Sequence, residues 1–192
     1  MTRSANPMYV DTIIAGFGGQ GVMLMGNMLA YAAMEAGKQV TYMPVYGVEM
    51  RGGTANCTVV ISDRQVGSPI VHEPQAAVVM NNPSAEKFGP RVKKNGLLLV
   101  NSSLVEEQYV KARTKRILRI PSLELAQEIG NPRLANMVLL GALVELSGVV
   151  GVADVVSVLP SALDPRYHKM IPANQAALER GARFAQDNRG AV

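Results

Sequence analysis

One cysteine, two histidines and no tryptophan leave this 192-residue sequence short of the side chains that most metal and redox chemistry uses. The lone thiol, Cys57, cannot close an internal disulfide, ligate an iron–sulfur cluster or complete a cysteine-rich zinc site. His72 and His168 stand far apart without ligand spacing, so they predict no metal centre, and neither lies near Cys57 to activate it as a nucleophile. Charge is thin as well. Charged residues make up 18% and the net charge is +4, too little and too scattered to call for nucleic acid. The densest basic run, KARTKRILR at 111–119, reads as a solvated loop and strand edge. No charged-then-apolar leader opens the sequence, and the most apolar stretch, 134–151, is interrupted by Asn136, Glu145 and Ser147. That stretch reads as a buried helix rather than a membrane span, and the expected compartment is a reducing cytoplasm.

Apolar residues amount to 48%, enough to exclude general disorder, and eleven methionines supply adaptable packing. The length suits a single domain, with a core over 9–150 and a helical extension over 151–192. Residues 9–15 form a continuous β-run, residues 22–36 carry apolar side chains at helical spacing up to Gly37, and residues 39–43 form a second strand. This pattern predicts a β-turn-α-β crossover. Further strands are expected at 55–62, 76–80, 96–101 and 116–120, with a short extended piece at 70–71. Asn82 or Ser84 is expected to cap a short helix, Ser122 another through Glu128, and Asn131 the apolar helix that follows. A short helix is expected to stop before Pro160, and a polar helix over 172–188 offers Ala176, Ala177, Ala182 and Ala185 for close packing. The expected class is therefore α/β and Rossmann-like, a mostly parallel sheet flanked by helices with a helical C-terminal part.

The stretch IIAGFGGQGV at 13–22 places Gly16, Gly18 and Gly21 in a G-x-G-x-x-G spacing between strand and helix. Such a turn brings backbone N–H groups and a helix N-terminus to an anion. The rest of a dinucleotide fingerprint is missing: no acid stands at the end of the second strand before Glu49, and Arg51 lies in the following loop. A stand-alone NAD(P)-binding Rossmann protein is thus an alternative that the chain half supports. Gln20, with a donor and an acceptor in mid-turn, could reach the other loop or a neighbouring subunit, or the glycines could serve packing alone. The loop YGVEMRGGTANC, 46–57, combines Glu49, Arg51, Gly52, Gly53 and Thr54. In an open α/β sheet it would meet the glycine turn at one rim, as a ligand or interface site or merely as a loop held by a Glu49–Arg51 pair.

GFGGQGVMLMG (16–26), YGVEMRGGTANCTVVIS (46–62), GSPIV (67–71), NNPS (81–84) and GLLLVNSSLV (96–105) together resemble the gamma subunit of 2-oxoacid:ferredoxin (acceptor) oxidoreductases, over roughly residues 9–150. The likeness is greatest to the 2-oxoglutarate type, with aryl relatives such as phenylglyoxylate or indolepyruvate oxidoreductases also similar. The resemblance implies a multi-subunit enzyme that turns a 2-oxoacid and coenzyme A into acyl-CoA, CO2 and two electrons. It implies alpha, beta and ferredoxin-like delta subunits as partners, with thiamine diphosphate, Mg2+ and [4Fe–4S] clusters held outside this chain. Ferredoxin would be the acceptor, or NAD through an FAD-bearing subunit. No catalytic residue is implied here. Gly18, Gly19, Gln20, Gly21, Glu49, Arg51, Gly52, Gly53 and Thr54 would line a rim toward coenzyme A or the alpha subunit.

Overall fold

The computed structural model describes residues 7–46 and 53–192. Six strands form one sheet: β1 (Tyr9–Phe17), β2 (Gln39–Tyr46), β3 (Thr54–Ser62), β4 (Ala76–Val79), β5 (Leu97–Asn101) and β6 (Arg116–Ile120), in the spatial order β2-β3-β1-β4-β5-β6. Strands β1, β4, β5 and β6 are mutually parallel, whereas β3 runs antiparallel to both β1 and β2. The expected α/β class holds, with the antiparallel hairpin as its departure from a simple doubly wound sheet.

The expected crossover is present, with β2 running parallel to β1 after α1, but the hairpin separates the two strands. Strand β2 does not pair with β1, because β3 lies between them. The two sequences explain the exchange. β3 is buried along nearly its whole length, as a central strand must be, while β2 carries Pro44, which has no N–H for a ladder and is tolerated at an edge. The intervening loop is also shorter than expected, since β2 continues through Tyr46 and β3 begins at Thr54.

Alternation along the strands divides the core. Ile14, Val78 and Leu99 face one side, under α1 (Val22–Glu35), α3 (Ser122–Glu128), α4 (Ala135–Ser147), α5 (Val152–Ser157), α6 (Leu159–Ala162) and α7 (Ile171–Asp187). Ile13, Val79 and Val100 face the other, against Ala85 and Phe88 of α2 (Asn82–Phe88). All of α4 from Ala135 to Val144 is buried, so this helix is apolar on every side, wedged between the sheet and α7. Each leucine enclosed there contributes on the order of 1.5–3 kcal/mol over its exposed state.

Several local expectations are moved by packing. Asn81, not Asn82 or Ser84, caps α2 by accepting from the Ser84 N–H at 2.9 Å. Ser122 opens α3 without capping it, because its hydroxyl donates to Asn101 Oδ1 at 2.8 Å. Asn131 accepts from Arg133 N, capping a single 3-10 turn before α4. The short helix α5 ends at Ser157, before Pro160 as expected, and Pro160 lies in the first turn of α6, a position where a missing N–H costs nothing. Residues 70–71 join no strand.

Candidate functional site

The carboxyl ends of β1, β4 and β5 open onto one rim, and the glycine turn begins it. Gly19 and Gly21 take φ angles of +97° and +79°, a region that side-chain-bearing residues seldom adopt. The turn closes through Gln20 N, which donates to Phe17 O at 3.1 Å. The Gln20 side chain folds back rather than outward. Its Oε1 accepts from Phe17 N at 2.7 Å and from Asn81 Nδ2 at 3.2 Å, and its Nε2 donates to Met80 O at 3.3 Å. A Cβ on Gly16 would stand 2.6 Å from that Oε1, so Gly16 makes room for the amide. The reach toward another loop or subunit is therefore corrected: Gln20 ties the end of β1 to the end of β4.

The two loops do meet. Gly18 N donates to Gly53 O at 3.0 Å, and Phe17 pairs with Thr54 in the ladder. Gly18, Gly19, Gln20, Gly21, Gly53 and exposed Thr54 thus belong to one edge, whereas Glu49, Arg51 and Gly52 lie outside the described residues. The same ladder weakens the dinucleotide reading. A Rossmann site needs its second strand beside the first to hold the ribose, and here β3 occupies that place antiparallel.

Beside the turn lies a crevice of about 410 Å³ lined by Gly19, Gln20, Met80, Asn101, Arg133 and Asn136, among others. No side chain of a described residue caps α1, so the N–H groups of its first turn have no side-chain partner there. Asn136, only 6% exposed, sits against Gly21 and makes no hydrogen bond to a described residue. Asn101, 1% exposed, spends its Oδ1 on Ser122 Oγ and Ser103 N, which leaves its NH2 group without a partner among the described residues. Arg133 is exposed at the mouth and forms no ion pair with a described residue. A second pocket of about 520 Å³ shares Arg133 and Asn136 with the first and adds Leu24, Tyr167, Lys169 and Met170. These wells offer amide donors, a helix N-terminus and two cations, a set suited to an anion carrying an apolar part.

The sequence marks neither Asn101 nor Arg133, and it predicts for Asn136 a buried hydrogen bond, which that side chain does not make with a described residue. The end of the apolar run GLLLVN could have marked Asn101, because a strand buried on both faces ends in a polar side chain only where that side chain finds a partner. Nothing local marks Arg133. Cys57 is fully buried beneath Gly26, its Sγ donating to Val22 O at 3.6 Å, and burial pushes its thiol up to about 12. It is no nucleophile. His168 is bound to Leu163 O at 3.1 Å and His72 is exposed on another loop.

A family model described as pyruvate ferredoxin/flavodoxin oxidoreductase matches residues 11–184. The chain belongs to this family. Among relatives within it, the ketoisovalerate oxidoreductase subunit VorA of Methanothermobacter marburgensis is 39% identical over 180 residues, covering 91% of this chain. The chain spans only 36% of that relative's length. The 2-oxoglutarate synthase subunit KorC of Methanothermobacter thermautotrophicus is 35% identical over 173 residues, 86% of this chain and 92% of the relative. The gamma subunit of the Geobacter sulfurreducens keto/oxoacid ferredoxin oxidoreductase shares the fold with a TM-score of 0.76 and 27% identity, over 93% of this chain and 99% of its own. Magnetococcus marinus 2-oxoglutarate:ferredoxin oxidoreductase, solved with 2-oxoglutarate, coenzyme A and succinyl-CoA, has a TM-score of 0.83 over 93% of this chain and 31% of its own. At 23% identity the latter likeness concerns the fold.

Proposed function

We propose that this chain is the gamma subunit of a multi-subunit, thiamine diphosphate-dependent 2-oxoacid:acceptor oxidoreductase. The observation that carries the reading is the near end-to-end match to KorC, a relative of almost the same length. The complex would convert a 2-oxoacid anion and coenzyme A thiol to acyl-CoA and CO2, releasing two electrons and one proton. Thiamine diphosphate supplies the decarboxylation when bound to the complex. Its Mg2+ wants oxygen anions, and the described wall of the crevice presents amides and a guanidinium instead. Iron–sulfur clusters also belong elsewhere, since one buried thiol cannot supply four thiolates. Their places are the alpha, beta and ferredoxin-like delta partners, in the cytoplasm, with ferredoxin or an NAD-linked acceptor receiving the electrons. Among the described residues no helix is long and apolar enough to cross a membrane.

This chain's own part is the coenzyme A side of the site. Gly18, Gly19, Gly21, Gly53 and Thr54 form the rim, with Glu49, Arg51 and Gly52 assigned to it from the sequence, and Asn101, Arg133 and Asn136 line the adjoining crevice. The open first turn of α1 and Arg133 would hold the diphosphate of the thiol substrate. Gln20 would keep the rim in shape. Omitting the chain from a co-expressed complex tests the subunit role: 2-oxoacid-dependent ferredoxin reduction should vanish and return when the chain is added back. Full activity without it would sink the reading. Replacing Arg51 with alanine tests the rim, with a raised apparent KM for coenzyme A expected, and an unchanged value in an intact complex would leave interface packing as its role.

A further inference from the structure

The opposite end of the sheet carries a surface that the crevice does not use. Segments 71–75, 89–96 and 111–116 converge where β4, β5 and β6 begin. Arg113 Nε donates to Pro90 O at 2.9 Å, Thr114 Oγ1 to Gly96 O at 2.5 Å, and Lys93 N to Pro74 O at 3.0 Å. Lys111, Arg113, Lys115 and Arg116 of the basic run are thereby joined by Arg91, Lys93 and Lys94, giving seven cationic side chains at this end of the sheet. Two carboxylates answer them. Glu73 is paired with Arg113 at 2.6 Å, and Asp11 is buried 3.7 Å from Lys93 Nζ. Glu145, at the border, is held by Arg189 at 2.7 Å. The local excess is larger than the +4 of the whole chain, so the charge that looked scattered in sequence is concentrated in space.

The arrangement separates two kinds of cation. Arg91 is fixed by the carbonyls of Val71 and His72, and Arg116 reaches Asn95 O at 3.4 Å, so the arginines brace the loops. Lys94, Lys111 and Lys115 are exposed and form no ion pair with a described residue. A groove of about 350 Å³ runs between Lys93 and Arg116, past Gln75 and Asn95, wide enough for a carboxylate side chain. None of the exposed large hydrophobic residues lies in 89–96 or 111–116. Lysine-rich faces without apolar anchors are unlike permanent interfaces, which deplete lysine and enrich aromatics. They suit reversible encounters that steer an oppositely charged protein.

We propose that this amino-end face docks a carboxylate-rich electron-carrier protein, reversibly and by electrostatic steering. The proposal rests on the subunit reading above. Absent aromatic platforms within these segments disfavour single-stranded nucleic acid, which needs bases to stack. The test uses the complete complex carrying Lys94→Glu, Lys111→Glu and Lys115→Glu, with a purified acidic ferredoxin and, separately, a neutral nitro-compound as acceptors. At low salt, about 20 mM, the ferredoxin KM should rise roughly tenfold or more, and the difference should disappear near ~0.5 M salt, where the Debye length falls to a few ångströms. Turnover with the neutral acceptor should not change, and the Lys→Gln triple variant should fall between. An unchanged ferredoxin KM and salt slope would overturn the docking face while leaving the subunit reading intact. Failure of the variant to assemble would overturn it in favour of a permanent subunit contact, and lysine-dependent retention of a DNA duplex at about 150 mM salt would overturn it in favour of nucleic acid. A parent complex that reduces neither acceptor would remove both readings together.

Discussion

Gly141 and Gly181 face each other where α4 and α7 cross. A Cβ on Gly141 would collide with the Leu178 carbonyl, and one on Gly181 with the Val138 carbonyl, so the two backbones approach as closely as glycine allows. Alanine at either position must part the helices or bend them. Gly181→Ala is expected to cost about 1–3 kcal/mol as an overpacked core, lowering the melting temperature by several degrees. Urea unfolding of the purified chain checks it, and a midpoint equal to the parent's would refute the close crossing.

Gln20 holds three partners at the ends of two strands, Phe17 closing β1 and Met80 and Asn81 just after β4. Gln20→Ala leaves the Phe17 N–H and Met80 carbonyl without their side-chain partner and is expected to destabilise the chain by about 1–3 kcal/mol. Paired with Asn81→Ala, it should show a coupling above roughly 0.5 kcal/mol in a double-mutant cycle, because the two amides bond directly at 3.2 Å. Strict additivity would show that the amide does not join β1 to β4.

The Cys57 thiol should resist alkylation at pH 8 until the chain unfolds. Its pKa rises from the ordinary 9.0 to about 12 through desolvation, against a smaller lowering by the Gly26 backbone. The folded chain therefore keeps a proton that the unfolded chain releases near pH 9. Stability is unaffected by this group below that pH and declines between about 9 and 12, by up to ~1.4 kcal/mol per pH unit. Cys57→Ala should flatten part of this alkaline limb. A steep residual slope remains for Tyr42, whose hydroxyl burial also pushes up to about 12. Rapid labelling of the folded chain would contradict the burial.

At the crevice, Arg133→Ala and Asn136→Asp should each raise the apparent KM for coenzyme A roughly tenfold, the equivalent of about 1.4 kcal/mol. The second places a carboxylate beside Gly21 and the start of α1, where it would repel an anion. The KM for the 2-oxoacid should stay fixed and assembly should persist. Steady-state kinetics of the complete complex, varying each substrate in turn, decides the matter; a coenzyme A KM equal to the parent's in both variants would exclude the crevice.

The period of each element is legible in the residues alone, because continuous apolar runs such as GLLLVN can be satisfied only inside a covered sheet and spaced apolar residues only on a helix. The sequence by itself determined the glycine turn, since φ angles like those of Gly19 and Gly21 demand glycine, and it excluded cluster and disulfide chemistry by holding one cysteine. Motif order also carried the family resemblance, which the match over residues 11–184 confirms. Strand order was decided by tertiary structure. Pro44 suits β2 to an edge, but nothing local says that β3 enters between β1 and β2, and the choice follows from which strand can lose water on both faces. The crevice was likewise hidden: Gln20, Asn81, Asn101 and the pair Arg133 and Asn136 come from four separate segments, and only folding sets which amides satisfy one another. The basic face has the same origin, because residues 89–96 and 111–116 become one surface only when parallel strands bring their starting ends together.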